Sequence, residues 1–145
     1  ILVMIIRSIS ELLAGRQLIT IDHYATVEDA CALMDHHNIG ALVVTDSTGM
    51  CGILSERDVI RRWMARGLVT EATQVFEIMT PNPISIGIQQ GIADALSIML
   101  DKGFRHVPVI DRIGAAVGMI SLRDIPTEYR VMVERFRSYQ HAAAE

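Results

Sequence analysis

The sequence predicts an α/β fold of the α+β type: two β-α-β-β-α repeats packed sheet to sheet with pseudo-twofold symmetry, plus a C-terminal helix. Three observations lead there. The stretch Gly52-Ile53-Leu54-Ser55-Glu56-Arg57-Asp58-Val59 returns sixty-six positions later as Gly118-Met119-Ile120-Ser121-Leu122-Arg123-Asp124-Ile125. Both copies read Gly-x-x-Ser-x-Arg-Asp followed by a β-branched residue, the pattern of a short strand ending at a Ser that caps a helix. The segments before each copy also match, Val27 to His37 with Ile92 to Lys102, and Asp29-Ala30 with Asp94-Ala95. Finally, each half has about 60 residues, too few to cover its own sheet. Such repeats pack on one another.

The elements follow in order. Ser8 and Glu11 stand in capping-box spacing at the start of a short helix, Ser8 to Leu13. Leu18 to Ile21 is a strand, and Thr26 to Asp29 opens a helix with Val27, Ala30, Leu33 and Met34 at helical spacing. Ala41 to Thr45 reads as a buried strand, Asp46 to Gly49 as a turn, and Gly52 to Leu54 as the next strand. Ser55 then caps a helix running to about Arg66, which Gly67 closes. Val75 to Met79 restarts the series, Pro81-Asn82-Pro83 interrupts it, and Ile84 to Ile86 forms a strand. A helix over Ile92 to Lys102, a strand over His106 to Ile110 and a strand over Val117 to Ile120 complete the second half. Repeat one spans 8–67 and repeat two 75–126. Over 127–141, Pro126 suits a helix start, and Tyr129, Met132, Val133, Phe136 and Tyr139 or Gln140 mark one apolar face. That helix is expected to cover the module or a second copy of it.

Composition narrows the function. Half of the 145 residues are hydrophobic, ample for a core, and the net charge of −4 argues against general nucleic-acid binding. No apolar run reaches the roughly 18 residues that cross a bilayer. Ile1 to Ile6 lacks the basic flank and cleavage pattern of a signal peptide; an edge strand or a packing arm is expected there. Twelve Arg stand against the single Lys102, a bias that suits phosphate recognition and is also common on ordinary surfaces. Cys31 and Cys51 lack CxxC spacing and read as free thiols of a reducing cytoplasm. His36 and His37 are adjacent on a helix, point apart, and do not form a zinc pair. No catalytic triad, phosphate loop or Gly-x-Gly-x-x-Gly is present, so no enzyme activity is expected.

The doubled motif, Asn38-Ile39-Gly40-Ala41-Leu42-Val43-Val44, Arg105-His106-Val107-Pro108-Val109-Ile110 and the linker Ile78-Met79-Thr80-Pro81-Asn82-Pro83 resemble a tandem CBS-domain pair, or Bateman module, of the stand-alone type. The resemblance covers roughly residues 8 to 126. It implies a regulatory module that binds an adenosyl ligand (AMP, ADP, ATP, NAD or S-adenosylmethionine) in clefts between the halves, dimers of two pairs, and an unidentified protein target. The alternative is a constitutive dimerisation scaffold with vestigial clefts.

Chemistry supports a nucleotide beside that resemblance. One carboxylate can accept hydrogen bonds from both ribose hydroxyls, and charge-assisted bonds of this kind contribute about 1.5–3 kcal/mol each. Asp58 and Asp124 are placed for this in a helix's first turn, with Ser55 and Ser121 facing the same space; the same Ser-x-x-Asp spacing also makes an ordinary cap. Gly52 and Gly118 would admit a ligand close to the backbone. In the family, the positions of Thr20 and Ser85 contact the nucleoside, and pairs like Arg105-His106 bind phosphate. Ala41 and Pro108 in the matching strands complete the set, with Arg57 and Arg123 as phosphate or interdomain contacts. The first half has Gly40-Ala41 where the second has Arg105-His106, so the two sites are expected to be unequal.

Overall fold

The computed structural model describes residues 7–144; the edge strand or packing arm expected over Ile1 to Ile6 lies outside them. In chain order run α1 (Ile9–Leu13), β1 (Thr20–Asp22), α2 (Val27–His37), β2 (Ala41–Asp46), β3 (Gly49–Ser55), α3 (Glu56–Asp58, continuing as a π-helix over Val59–Met64) and α4 (Val75–Ile78). They are followed by β4 (Thr80–Pro81), β5 (Ile86–Gly87), α5 (Ile92–Lys102), β6 (His106–Ile110), β7 (Ala116–Ser121), one 3-10 turn (Leu122–Asp124) and α6 (Thr127–Ala144).

The strands form two sheets, ordered β1-β2-β3-β4 and β5-β6-β7. In each, the first strand pairs parallel with the second and the second antiparallel with the third. A parallel pair needs a crossover, which α2 and α5 supply. Thr26 Oγ1 accepts from the Asp29 amide at 3.1 Å to start α2, and Asp94 accepts from the Gly91 amide at 3.0 Å to start α5. Asn38 (φ 51°) and Gly103 (φ 71°) end them in left-handed caps. Each hairpin turns on an Asp whose carboxylate accepts from the amide two residues on, Asp46 from Thr48 at 2.8 Å and Asp111 from Ile113 at 3.0 Å. Even the ladder irregularities repeat, at Val44/Thr45 and Val109/Ile110.

Each sheet has its own core, and the first helix of each repeat lies in the other's. Ile9 and Leu12 of α1 pack with Ile86, Leu96, Val107 and Ile120, while Val75 and Ile78 of α4 pack with Val27, Leu42, Leu54 and Trp63. The motif glycines explain the docking. A Cβ on Gly118 would fall 2.5 Å from Leu13 Cδ1, and one on Gly52 would fall 2.6 Å from Met79 Sδ. The space a side chain would take at these two glycines is therefore filled by the chain itself.

Strand β2 is buried on both faces. Leu42 and Val44 enter the core, and Ala41 and Val43, which alternate with them, are buried as well. Helices α2 and α4 share the core that takes Leu42 and Val44. Arg57 Nη1 crosses between the repeats to the Gly103 carbonyl at 3.1 Å, holding the end of α5.

The strands expected over Leu18 to Ile21 and Ile84 to Ile86 lie later, at Thr20–Asp22 and Ile86–Gly87, which leaves Ser85 outside its strand, and two further local expectations change. The helix expected after Ser121 is a single 3-10 turn, because Pro126 disfavours the helical conformation at Ile125, which is extended (φ −92°, ψ 125°). Along α6, only Tyr129 and Val133 of the apolar stripe pack on the second core, whereas Met132, Phe136 and Tyr139 are exposed. Arg137, one turn beyond Val133, sets the inward face by donating to Asp101 (2.6 Å) and Ser97 (2.9 Å) of α5.

Candidate functional site

The two motifs come to lie at two clefts between the repeats. Strands β3 and β7 end at Ser55 and Ser121, and the next amide of each turn is tied to the head of the neighbouring strand: Glu56 N–H donates to the Gly40 carbonyl at 3.0 Å and Leu122 N–H to that of Arg105 at 2.8 Å. These bonds fix where each Asp emerges.

The first cleft, of about 460 Å³, is lined by Ser55, Arg57, Asp58 and Thr80, with Asn82, Pro83 and Ile84 from the linker and Arg105, His106 and Pro108 from β6 and its approach. The second, of about 250 Å³, is lined by Ser121, Arg123 and Asp124, with Arg16, Leu18, Ile19, Gly40 and Ala41 opposite. Small-molecule pockets usually enclose about 300–1,000 Å³, so only the first has ligand-sized room as it stands.

Both motif aspartates make the cap, and each uses a single oxygen for it. Asp58 Oδ2 accepts from the Ser55 amide at 3.0 Å and from Ser55 Oγ at 3.1 Å. Asp124 Oδ2 accepts from the Ser121 amide at 2.7 Å. The other oxygens differ. Asp58 Oδ1 has Thr80 Oγ1 at 3.4 Å and Arg62 Nε at 3.6 Å, both long for hydrogen bonds. Asp124 Oδ1 is paired with Arg16 Nη2 at 2.9 Å. Capping and ligand binding are thus compatible roles for one carboxylate.

His106 and Gly40 form the wall shared by the clefts, since both residues line both. A Cβ on Gly40 would fall 3.2 Å from His106 Cε1 and 3.4 Å from Glu56 Cδ. Burial holds the His106 imidazole below the ordinary histidine range, against the opposing pull of Glu56. It is therefore mainly neutral at pH 7.

Of the residues singled out from sequence, Ser55, Arg57, Asp58, Arg105, His106 and Pro108 meet in the first cleft. Ala41, Ser121, Arg123 and Asp124 meet in the second, where His106 reappears. Thr20 and Ser85 line neither; Ile19 and Ile84, their immediate predecessors, do. Sequence reasoning also missed Arg16, Arg61, Arg62 and Thr80. Arg16 gave no repeat signal, because Pro81 stands at the matching position.

A family model described as the CBS domain matches residues 9–65 and again 75–128. The chain belongs to the CBS-domain family. As a CBS pair it is 34% identical over 123 residues to the mitochondrial CBS domain-containing protein CBSX3 of Arabidopsis thaliana, covering 79% of this chain and 59% of that one. The chain thus spans less than two thirds of that relative's length. Among solved structures, it is similar to a putative signal-transduction protein with CBS domains from Burkholderia ambifaria (32% identity, TM-score 0.76, 81% of this chain and 90% of that one). It is also similar to a CBS domain protein from Pyrobaculum aerophilum complexed with AMP (27% identity, TM-score 0.76, 88% and 97%). Among the described residues, no helix of this CBS pair is long and apolar enough to cross a membrane, and no group of three or more His, Cys, Asp or Glu would hold a metal ion.

Proposed function

We propose that this CBS pair is a non-catalytic regulatory module that binds an adenine nucleotide between its repeats, with the Asp58 cleft as the principal site. The observation that carries this is Asp58 itself: a buried carboxylate in a ligand-sized cleft, with one oxygen fixed by its cap and the other only loosely engaged. That second oxygen suits a ribose diol. Ile84, 42% exposed in the same cleft, offers an apolar face to a purine ring, and Arg105 and His106 stand opposite for phosphate. The similarity to the AMP-complexed Pyrobaculum protein supports the ligand class.

The mechanism is population shift. A ligand touching Asp58 on one repeat and Arg105 on the other favours one arrangement of the pair, and a protein target reads it. Exposed Ile60 and Met64 on α3 and Phe136 on α6 support assembly as a homodimer, and the free thiols of Cys31 and Cys51 suit a cytoplasmic setting.

Thermal unfolding against AMP, ADP, ATP, NAD and S-adenosylmethionine tests the reading. A ligand at about 100 times its Kd adds ~2.7 kcal/mol of stability, a readily measured shift. A panel with no response from any member would transfer the assignment to a constitutive scaffold.

A further inference from the structure

The two clefts are related by the repeat, yet their charges are not. The Asp58 cleft is lined by five fixed cations, Arg57, Arg61, Arg62, Lys102 and Arg105, against the carboxylates of Glu56 and Asp58. The Asp124 cleft has Arg16 and Arg123 against Asp124. At the positions matching Arg61 and Arg62, repeat two carries Thr127 and Glu128; at those matching Lys102 and Arg105, repeat one carries His37 and Gly40.

Two of the five cations already have work in the fold. Arg57 holds the Gly103 carbonyl, and Arg62 donates to that of Met79 at 3.0 Å and lies beside Asp58. Arg61, Lys102 and Arg105 have no hydrogen-bond or ion-pair partner among the described residues. They come from both walls, Arg61 from α3 and the others from the end of α5 and the approach to β6. Gathering like charges at one cleft is unfavourable unless an anion offsets them.

From this imbalance we infer that the Asp58 cleft selects a nucleotide carrying two or more phosphates over a monophosphate, an inference that rests on the adenosyl reading above. A monophosphate brings about 1.5 to 2 negative charges, fewer than the excess of three positive charges that the five cations hold over Glu56 and Asp58. Each further phosphate brings about one more and extends the chain of charge from one wall toward the other. The cleft in the other repeat, without these cations and with Asp124 held by Arg16, makes no such selection.

Calorimetric titration of the full chain with adenosine, AMP, ADP, ATP and inorganic tripolyphosphate, in magnesium-free buffer, tests this. ATP is expected to bind at least tenfold more tightly than AMP, and the ratio to shrink as salt is raised to 0.5 M, where screening is short-ranged (~3–5 Å). The double variant Arg61→Thr, Lys102→Ala, which changes only exposed side chains, is expected to lose most of that preference. Asp58→Asn is expected to weaken ATP binding where Asp124→Asn does not. AMP binding as tightly as ATP, or a preference that survives the double variant, would overturn the inference while leaving the adenosyl reading intact. Tripolyphosphate binding that the double variant abolishes, with no response to any adenosyl compound, would keep the charge assignment and remove the adenosyl reading. Silence from every compound would remove both, and adenosine or AMP binding with silence from ATP and tripolyphosphate would overturn the inference alone.

Discussion

Arg16 Nη2 lies 2.9 Å from Asp124 Oδ1, while the equivalent oxygen of Asp58 has no partner closer than Thr80 Oγ1 at 3.4 Å. Two copies of one motif are therefore in different states of readiness. On the proposed adenosyl reading, a ribose at the second cleft would have to displace a guanidinium, and at the first it would meet a carboxylate oxygen that is buried and loosely held.

Removing Arg16 is expected to equalise them. The Arg16 side chain is 46% exposed, so the ion pair contributes about 0–1 kcal/mol to stability. Arg16→Ala should leave the melting temperature nearly unchanged and raise ligand stoichiometry from one toward two per chain. Equilibrium dialysis reads this directly, and an unchanged stoichiometry would show that Arg16 does not guard the cleft.

Asp58→Asn separates cap from ligand role. Asparagine retains a cap acceptor, so stability should fall by less than about 1 kcal/mol. A charge-assisted bond contributes about 1.5–3 kcal/mol, and its loss should weaken nucleotide binding on the order of tenfold to a hundredfold. A variant that binds normally would reduce Asp58 to a cap.

His106 gives opposite pH trends for folding and for binding. Its folded pKa lies below the ordinary value of about 6.5 because burial disfavours the imidazolium. The fold prefers the neutral ring, so its contribution to stability is complete above about pH 6.5 and is lost as pH falls through the folded pKa. A phosphate beside the ring favours the charged form, so binding should take up a proton and tighten as pH falls from 8 to 6. Calorimetry in two buffers of different ionisation enthalpy measures the uptake, and His106→Asn should abolish it. Equal heats in both buffers for the wild-type chain would place the phosphate away from His106.

Gly118→Ala should destabilise by about 1–3 kcal/mol, the usual range for overpacking, because its Cβ meets Leu13. Adding Leu13→Ala should recover part of that loss, a negative coupling that a double-mutant cycle measures. At Gly52 the new Cβ would also sit 2.9 Å from the Thr80 carbonyl oxygen, which no side-chain motion relieves. Gly52→Ala should therefore cost more. Additive effects at Leu13 and Gly118 would argue against the contact.

The fold was legible because its signals are local and occur twice. Thr26, Ser55 and Ser121 announce their turns by spacing alone, and the matching elements of the halves define one architecture. In the candidate site the motif alone leads to Asp58 and Asp124, which line the clefts, whereas beside Thr20 and Ser85 it is their predecessors Ile19 and Ile84 that do: neighbouring residues of an extended chain face opposite ways, and spacing does not say which one faces a cleft. Periodicity also shows that Ile9 and Leu12 are buried without showing where. Arg16 carries no signal because its importance lies in a contact made across the fold, with Asp124.

The exchanged helices have a consequence for how the chain becomes a protein. The first repeat's core is complete once residue 78 is in place, because α4 directly follows the strands it seals. The second waits for Ile9 and Leu12 to meet Ile120 and Ile125, more than a hundred positions away. Closing so long a loop is slow compared with local assembly. As the chain leaves the ribosome, α1 must remain uncommitted until the last strand emerges, and a cut in the connection between the repeats would leave each piece holding the helix the other one needs.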